Sequence, residues 1–150
     1  FAAGMAGGLA EVAWVTLYRG TGGAAEVARQ VTETVIPGGG GASNAGITGL
    51  SIHLVLSWLL ALAYWRLVQP RLASLPKGTR FVVAAAVLAI IWTVNFQVLL
   101  PLLNPAFTLL MPAGVTLASK ILFGLAMAGV LEAASPARTA SIVSNHRHTR

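Results

Sequence analysis

Four long apolar runs constrain this chain more than anything else in it: residues 2–18, 47–65, 81–103 and 114–131. An α-helix needs roughly 20 residues to cross the hydrocarbon core of a bilayer. A single segment in lipid must satisfy its own backbone polar groups, and a helix does so. The runs therefore predict an all-α fold, an integral membrane four-helix bundle occupying residues 1–134, followed by a polar, basic tail from Ser135 to Arg150. Only 9% of the 150 residues are charged, against about a quarter in an ordinary soluble domain. Such a chain lacks the polar surface to meet water on all sides.

Most of its Lys and Arg lie outside the runs. Arg66, Arg71, Lys77 and Arg80 crowd the second link, and Arg138, Arg147 and Arg150 follow the last run. The first link has only Arg19 and Arg29, and the third has no charge. The positive-inside rule then puts both termini and the second link in the cytoplasm, with Tyr18, Tyr64 and Trp65 at headgroup level. A nucleic-acid binder would instead spread its basic residues along one face. Glu11 interrupts the first run and no basic segment precedes it, so that run does not read as a cleavable signal. In the first link, beyond the glycines at 20, 22 and 23, Val27, Val31 and Val35 recur every fourth residue, opposite Glu26, Arg29, Gln30 and Glu33. This reads either as a short interfacial helix on the membrane surface or as a solvated connecting helix. Pro101, Pro105 and Pro112 make the third link a tight, half-immersed turn.

Polar residues inside the runs are the candidates for a site, because an ionisable group in hydrocarbon is costly. Counted from the outer helix ends at about 1.5 Å per residue, Glu11, His53, Asn95 and Lys120 all lie roughly 9–12 Å deep, one on each run. They are expected to form one intramembrane cluster in which Glu11 and Lys120 neutralise each other while His53 and Asn95 supply hydrogen bonds. Three roles stay open for it: specifying helix packing, handling a proton or ligand, and contacting another subunit. Gln97 is a further polar companion. His53 is the one histidine within a run, since His146 and His148 lie in the tail, so a bis-histidine haem site cannot be built from one chain. No cofactor or metal is expected.

Gly4 and Gly8 form GxxxG, and Gly124 with Ala128 repeats the small-xxx-small spacing, which predicts close approach of the first and last helices. Trp58 and Trp92 fall near mid-bilayer and are expected to pack inside the bundle or against a neighbouring protein. No phosphate-binding loop, nucleophile elbow or metalloprotease motif is found, and the PGGGG run lacks a phosphate-binding lysine, so no enzyme is expected.

The segments AGGLAEVAWVTLY, IHLVLSWLLALAY, WTVNFQVLLPLLNPAF and SKILFGLAMAGVLE resemble a group of small bacterial four-helix membrane proteins, some labelled sodium:proline symporters. More distantly, the last three runs resemble the YagU family of inner-membrane proteins. The resemblance spans most of residues 3–132 and implies a multi-pass protein of the bacterial inner membrane. Glu11, His53, Asn95 and Lys120 fall within its four segments. The expected function is non-catalytic: an accessory or structural subunit of a larger membrane complex, respiratory or photosynthetic, with a partner subunit holding the tail. The alternative is a small transporter or proton-conducting protein using the cluster.

Overall fold

The computed structural model of the chain describes residues 1–134, so the expectations for Ser135 to Arg150 lie outside the described residues. The described residues are mostly helical, with no strand among them. In order they form α1 (Ala2–Val35), a 3-10 turn (Gly39–Gly41), α2 (Ala45–Leu67), a second 3-10 turn (Gln69–Leu72), α3 (Lys77–Val94), a π-turn (Asn95–Leu99), α4 (Leu100–Leu103), α5 (Pro105–Thr108) and α6 (Ala113–Ala134). Three helical stretches are long and apolar enough to cross a membrane: Ala45–Leu67, Lys77–Leu103 and Ala113–Ala134. The run at 2–18 is helical too, but Gly4, Gly7, Gly8 and Glu11 dilute its apolarity, and it is not one of the three.

α1 is two helices joined at a kink. Gly20 adopts φ 70°, ψ 173°, in the region open to glycine and strained for other residues. The segment expected as a separate interfacial helix is thus the second half of α1, and it packs on the start of α2. Thr32 Oγ1 donates to Ala45 O at 2.6 Å. The valine stripe at 27, 31 and 35 lines a half-open cavity, with Val35 also exposed. Periodicity alone could not say which apolar partner the stripe would meet.

The turn after α1 is held by Glu33, whose carboxylate accepts from Gly38 N and Gly40 N, both at 2.8 Å. These two donors lower its pKa from the ordinary carboxylate value. The folded pKa is depressed, so the stabilisation is present above the unfolded carboxylate pKa and lost as pH falls through the folded one. Amide exchange at Gly38 and Gly40, corrected for intrinsic rates, should therefore quicken on acidification in the wild type and lose that dependence in Glu33→Gln. The same acid response in both proteins would remove Glu33 as the cause.

The main interfaces run α2 to α1, α1 to α6, and α6 to α3. Small residues set them, and the first and last helices do approach closely, although the two predicted stripes do not meet each other. A Cβ on Gly4 would sit 2.6 Å from Trp58 Cα, and one on Gly8 would sit 2.8 Å from Ser57 Oγ, so the GxxxG stripe meets α2. A Cβ on Gly7 would sit 2.9 Å from the Phe123 ring of α6, and one on Gly124 would sit 3.1 Å from the Ala84 carbonyl of α3. The two small-residue stripes therefore do not face each other: each receives a different neighbour, and α1 meets α6 through Gly7. At one end the helices close on a core that includes Tyr64, Leu88, Phe123, Met127 and Ala128.

Arg80 Nη1 bridges both oxygens of Glu132 there, at 3.0 and 3.2 Å, and its other nitrogens cap Leu75 O and Ala73 O. At the opposite end the third link holds the short helix α5 rather than a plain turn. Asn104 caps α5, accepting from Phe107 N at 3.2 Å, while its Nδ2 donates to Gln30 Oε1 at 3.0 Å and Thr34 Oγ1 at 3.1 Å. One side chain thus ties the third link to the second half of α1.

Candidate functional site

At the end away from the core the helices spread around a cavity of about 680 Å³, in the range of small-ligand sites. Its walls come from both halves of α1, from α2, from the end of α3 with the π-turn, and from the start of α6. Phe123, fully buried, belongs both to its lining and to the core beneath. Most of the lining is aliphatic, with Val12, Val31, Leu50, Leu60 and Ile91 typical of it.

Glu11, His53, Asn95 and Lys120 all line this cavity. Glu11 is 4% exposed. Lys120 Nζ donates to its Oε2 at 2.8 Å, and Ser119 Oγ donates to its Oε1 at 2.9 Å. Two consecutive residues of α6 therefore satisfy both oxygens of one carboxylate. His53 Nε2 stands 3.8 Å from Glu11 Oε2 and 3.3 Å from Gly8 O. A carbonyl only accepts, so Nε2 carries the proton in that contact. Gly8 lets α2 come this near: Ser57 Oγ occupies the place of a side chain there and donates to His53 O at 2.7 Å. Lys120 Nζ also lies 5.5 Å from the Phe123 ring centroid, a favourable position for a cation over a π face.

Asn95 stands apart from this triad. It is half-buried at the start of the π-turn, and no hydrogen bond joins its side chain to Glu11, His53 or Lys120 among the described residues. The π-turn has a local cause in Pro101, which cannot donate to the carbonyl four residues back and whose ring crowds it. Leu100 N reaches Asn95 O instead. Gln97 is exposed. Trp92 is buried, donates to Thr116 Oγ1 at 3.0 Å and stacks on Phe96, whereas Trp58 is 37% exposed on the outside of α2.

Sequence reasoning missed Ser119, and the missing signal was only its adjacency to Lys120. It also missed the pair of Arg80 with Glu132, because Arg80 counts as a loop charge and Glu132 as a helix end. No group of three or more His, Asp or Glu side chains able to hold a metal ion occurs among the described residues. The cluster is a compensated ion pair with a hydroxyl and an imidazole beside it, open to an apolar space. Comparison of the chain with protein-family models, with curated proteins and with solved structures finds no match.

Proposed function

We propose that this is a non-catalytic integral membrane protein of the bacterial inner membrane, crossing it four times with both termini cytoplasmic, and that it holds a small ligand in its cavity as a small transporter or carrier does. One observation carries the ligand reading: a cavity of about 680 Å³ whose aliphatic wall is interrupted by Glu11, His53 and Lys120. Charged side chains at such depth are otherwise avoided. The three long apolar helices and the loop charges support the membrane topology. The run at 2–18 would be the fourth span, its glycines spent on close contact with α2 and α6.

A second reading, an accessory subunit of a larger membrane complex, is favoured by the self-sufficiency of the pair. Glu11 already has both oxygens satisfied within the chain, which suits a purely structural role. Recovery of the chain only in a stoichiometric assembly would favour that reading.

Topology and cavity are tested separately. Reporter fusions near Gly40 or Asn104 should read outside, and fusions after Arg71 should read cytoplasmic; a Gly40 fusion reading cytoplasmic would refute four spans. The chain has no cysteine, so single replacements report cleanly. Thr34→Cys and Leu50→Cys, both on the cavity wall, should react with a small water-soluble thiol reagent, while the fully buried Leu88→Cys and the outward-facing Ile90→Cys should not. Silence at Thr34 and Leu50 would remove the cavity reading. Equal labelling at Ile90 would remove the membrane.

A further inference from the structure

The hydrogen-bonding capacity left over around the cavity says what kind of ligand fits it. Each oxygen of Glu11 already accepts one hydrogen bond, from Ser119 and from Lys120. Ser57, Thr116 and Trp92 are committed to His53 O, Ala113 O and Thr116 Oγ1. A lysine ammonium has three N–H donors, and Lys120 uses one on Glu11. Asn95 lines the cavity with an amide that makes no hydrogen bond among the described residues. The unused donors are thus the remaining N–H groups of Lys120 and the Asn95 amide, on two sides of the same space, while His53 Nδ1 is an unused acceptor.

Charge narrows the choice further. Glu11 and Lys120 compensate each other at 2.8 Å. An anionic head would leave a net negative charge in an aliphatic cavity, and a cationic head would meet Lys120; either burial is costly without a further partner. An uncharged head bearing an acceptor oxygen leaves the balance intact. The rest of the lining, with Val12, Val31, Leu50 and Ile91, calls for an apolar body. Access is suggested by the helix order, since α2 and α3 are the two ends of the packing series and their Leu56, Leu60, Ile91 and Asn95 line the cavity from both flanks.

We infer that the cavity binds an uncharged amphiphile whose carbonyl or ester oxygen accepts from Lys120 and Asn95 while its hydrocarbon body lies against the aliphatic wall. This rests on the reading of the cavity as a ligand site.

Four twelve-carbon probes separate the possibilities: methyl laurate, laurate, dodecylammonium and dodecane. The full chain in detergent micelles is titrated with each, and one-to-one occupancy is read by native mass spectrometry. Methyl laurate should bind saturably, one per chain, at least about tenfold more tightly than the other three, the effect expected of a hydrogen bond to a charged donor. Asn95→Leu, which breaks no pair in the fold, should lower methyl laurate affinity several-fold and leave dodecane unchanged. Glu11→Gln with Lys120→Met should remove most of the margin of methyl laurate over dodecane, leaving only the part that Asn95 supplies.

Tightest binding of laurate or dodecylammonium would overturn the uncharged head. Equal binding of all four would overturn the role of Lys120 and Asn95. Binding of none, with Thr34→Cys and Leu50→Cys still labelled, would overturn the ligand class and leave the cavity reading standing, whereas loss of that labelling is the failure of the cavity reading itself.

Discussion

Glu11→Gln alone, or Lys120→Met alone, should destabilise the folded protein by about 3 kcal/mol, and the double replacement should recover most of that loss. Breaking a buried pair typically costs about 3–5 kcal/mol, because the remaining charge keeps its desolvation penalty and loses its partner. Here the lower end applies to the loss of Glu11, since the Lys120 side chain is 17% exposed toward the cavity and can be partly solvated. The loss of Lys120 is the harsher change: the Glu11 side chain is 5% exposed and would keep only Ser119 as a donor. Ser119→Ala, which removes that hydroxyl and leaves the ion pair, should cost less, roughly 1–3 kcal/mol. Thermal unfolding in detergent of the single and double variants gives the coupling directly. Strictly additive single effects would show that the two side chains do not interact, and the cluster would have to be abandoned. A double variant that is stable yet no longer binds methyl laurate separates a ligand role from a packing role.

How far this site could be read from sequence depends on the kind of information each residue carries. Depth along a helix is legible from residue counting, and so Glu11, His53 and Lys120 could be assigned to one level before any coordinates. Rotation about the helix axis is much less legible when nearly every position is apolar. Asn95 lines the same cavity, yet the π-turn begun at that residue alters the helical phase, and its amide does not join the triad. The same ambiguity misdirected the glycine stripes. Gly4 and Gly8 are spaced for close approach, but spacing names no partner, and Trp58 and Ser57 of α2 occupy the place assigned to α6. Asn104 was invisible as a tether because its partners, Gln30 and Thr34, are some 70 residues away in the chain, at separations of 74 and 70. The kink is the opposite case: glycines at 20, 22 and 23 announce a break, and Gly20 alone takes the positive φ.

Gly49→Ala should be among the most damaging single-methyl changes in the protein, at about 3 kcal/mol or more. An ideal Cβ at Gly49 would lie 1.7 Å from Ala28 O and 2.6 Å from Ala28 C. Both are backbone atoms of α1, so no side-chain rotation relieves the clash, and the two helices must separate. Overpacking a tight site costs roughly 1–3 kcal/mol when neighbours can shift, and more when they cannot. The separation would also stretch the contact of Thr32 Oγ1 with Ala45 O, now 2.6 Å, and swing the valines at 27 and 31 away from the cavity. Gly46 supplies the control on the same helix. Its Cβ would come no nearer than 3.8 Å, to Ala25 O, an ordinary contact, so Gly46→Ala should be neutral or stabilise by roughly 0.5–1 kcal/mol through the helix preference of alanine over glycine. Unfolding midpoints of the two variants in the same detergent, with thiol labelling at Thr34→Cys as a monitor of the cavity wall, compare them directly. Gly49→Ala should lower the midpoint and alter labelling, and Gly46→Ala should change neither in that direction. Equal stability of the two would mean that the second half of α1 does not rest on α2 as described, and the cavity would lose the wall that defines it.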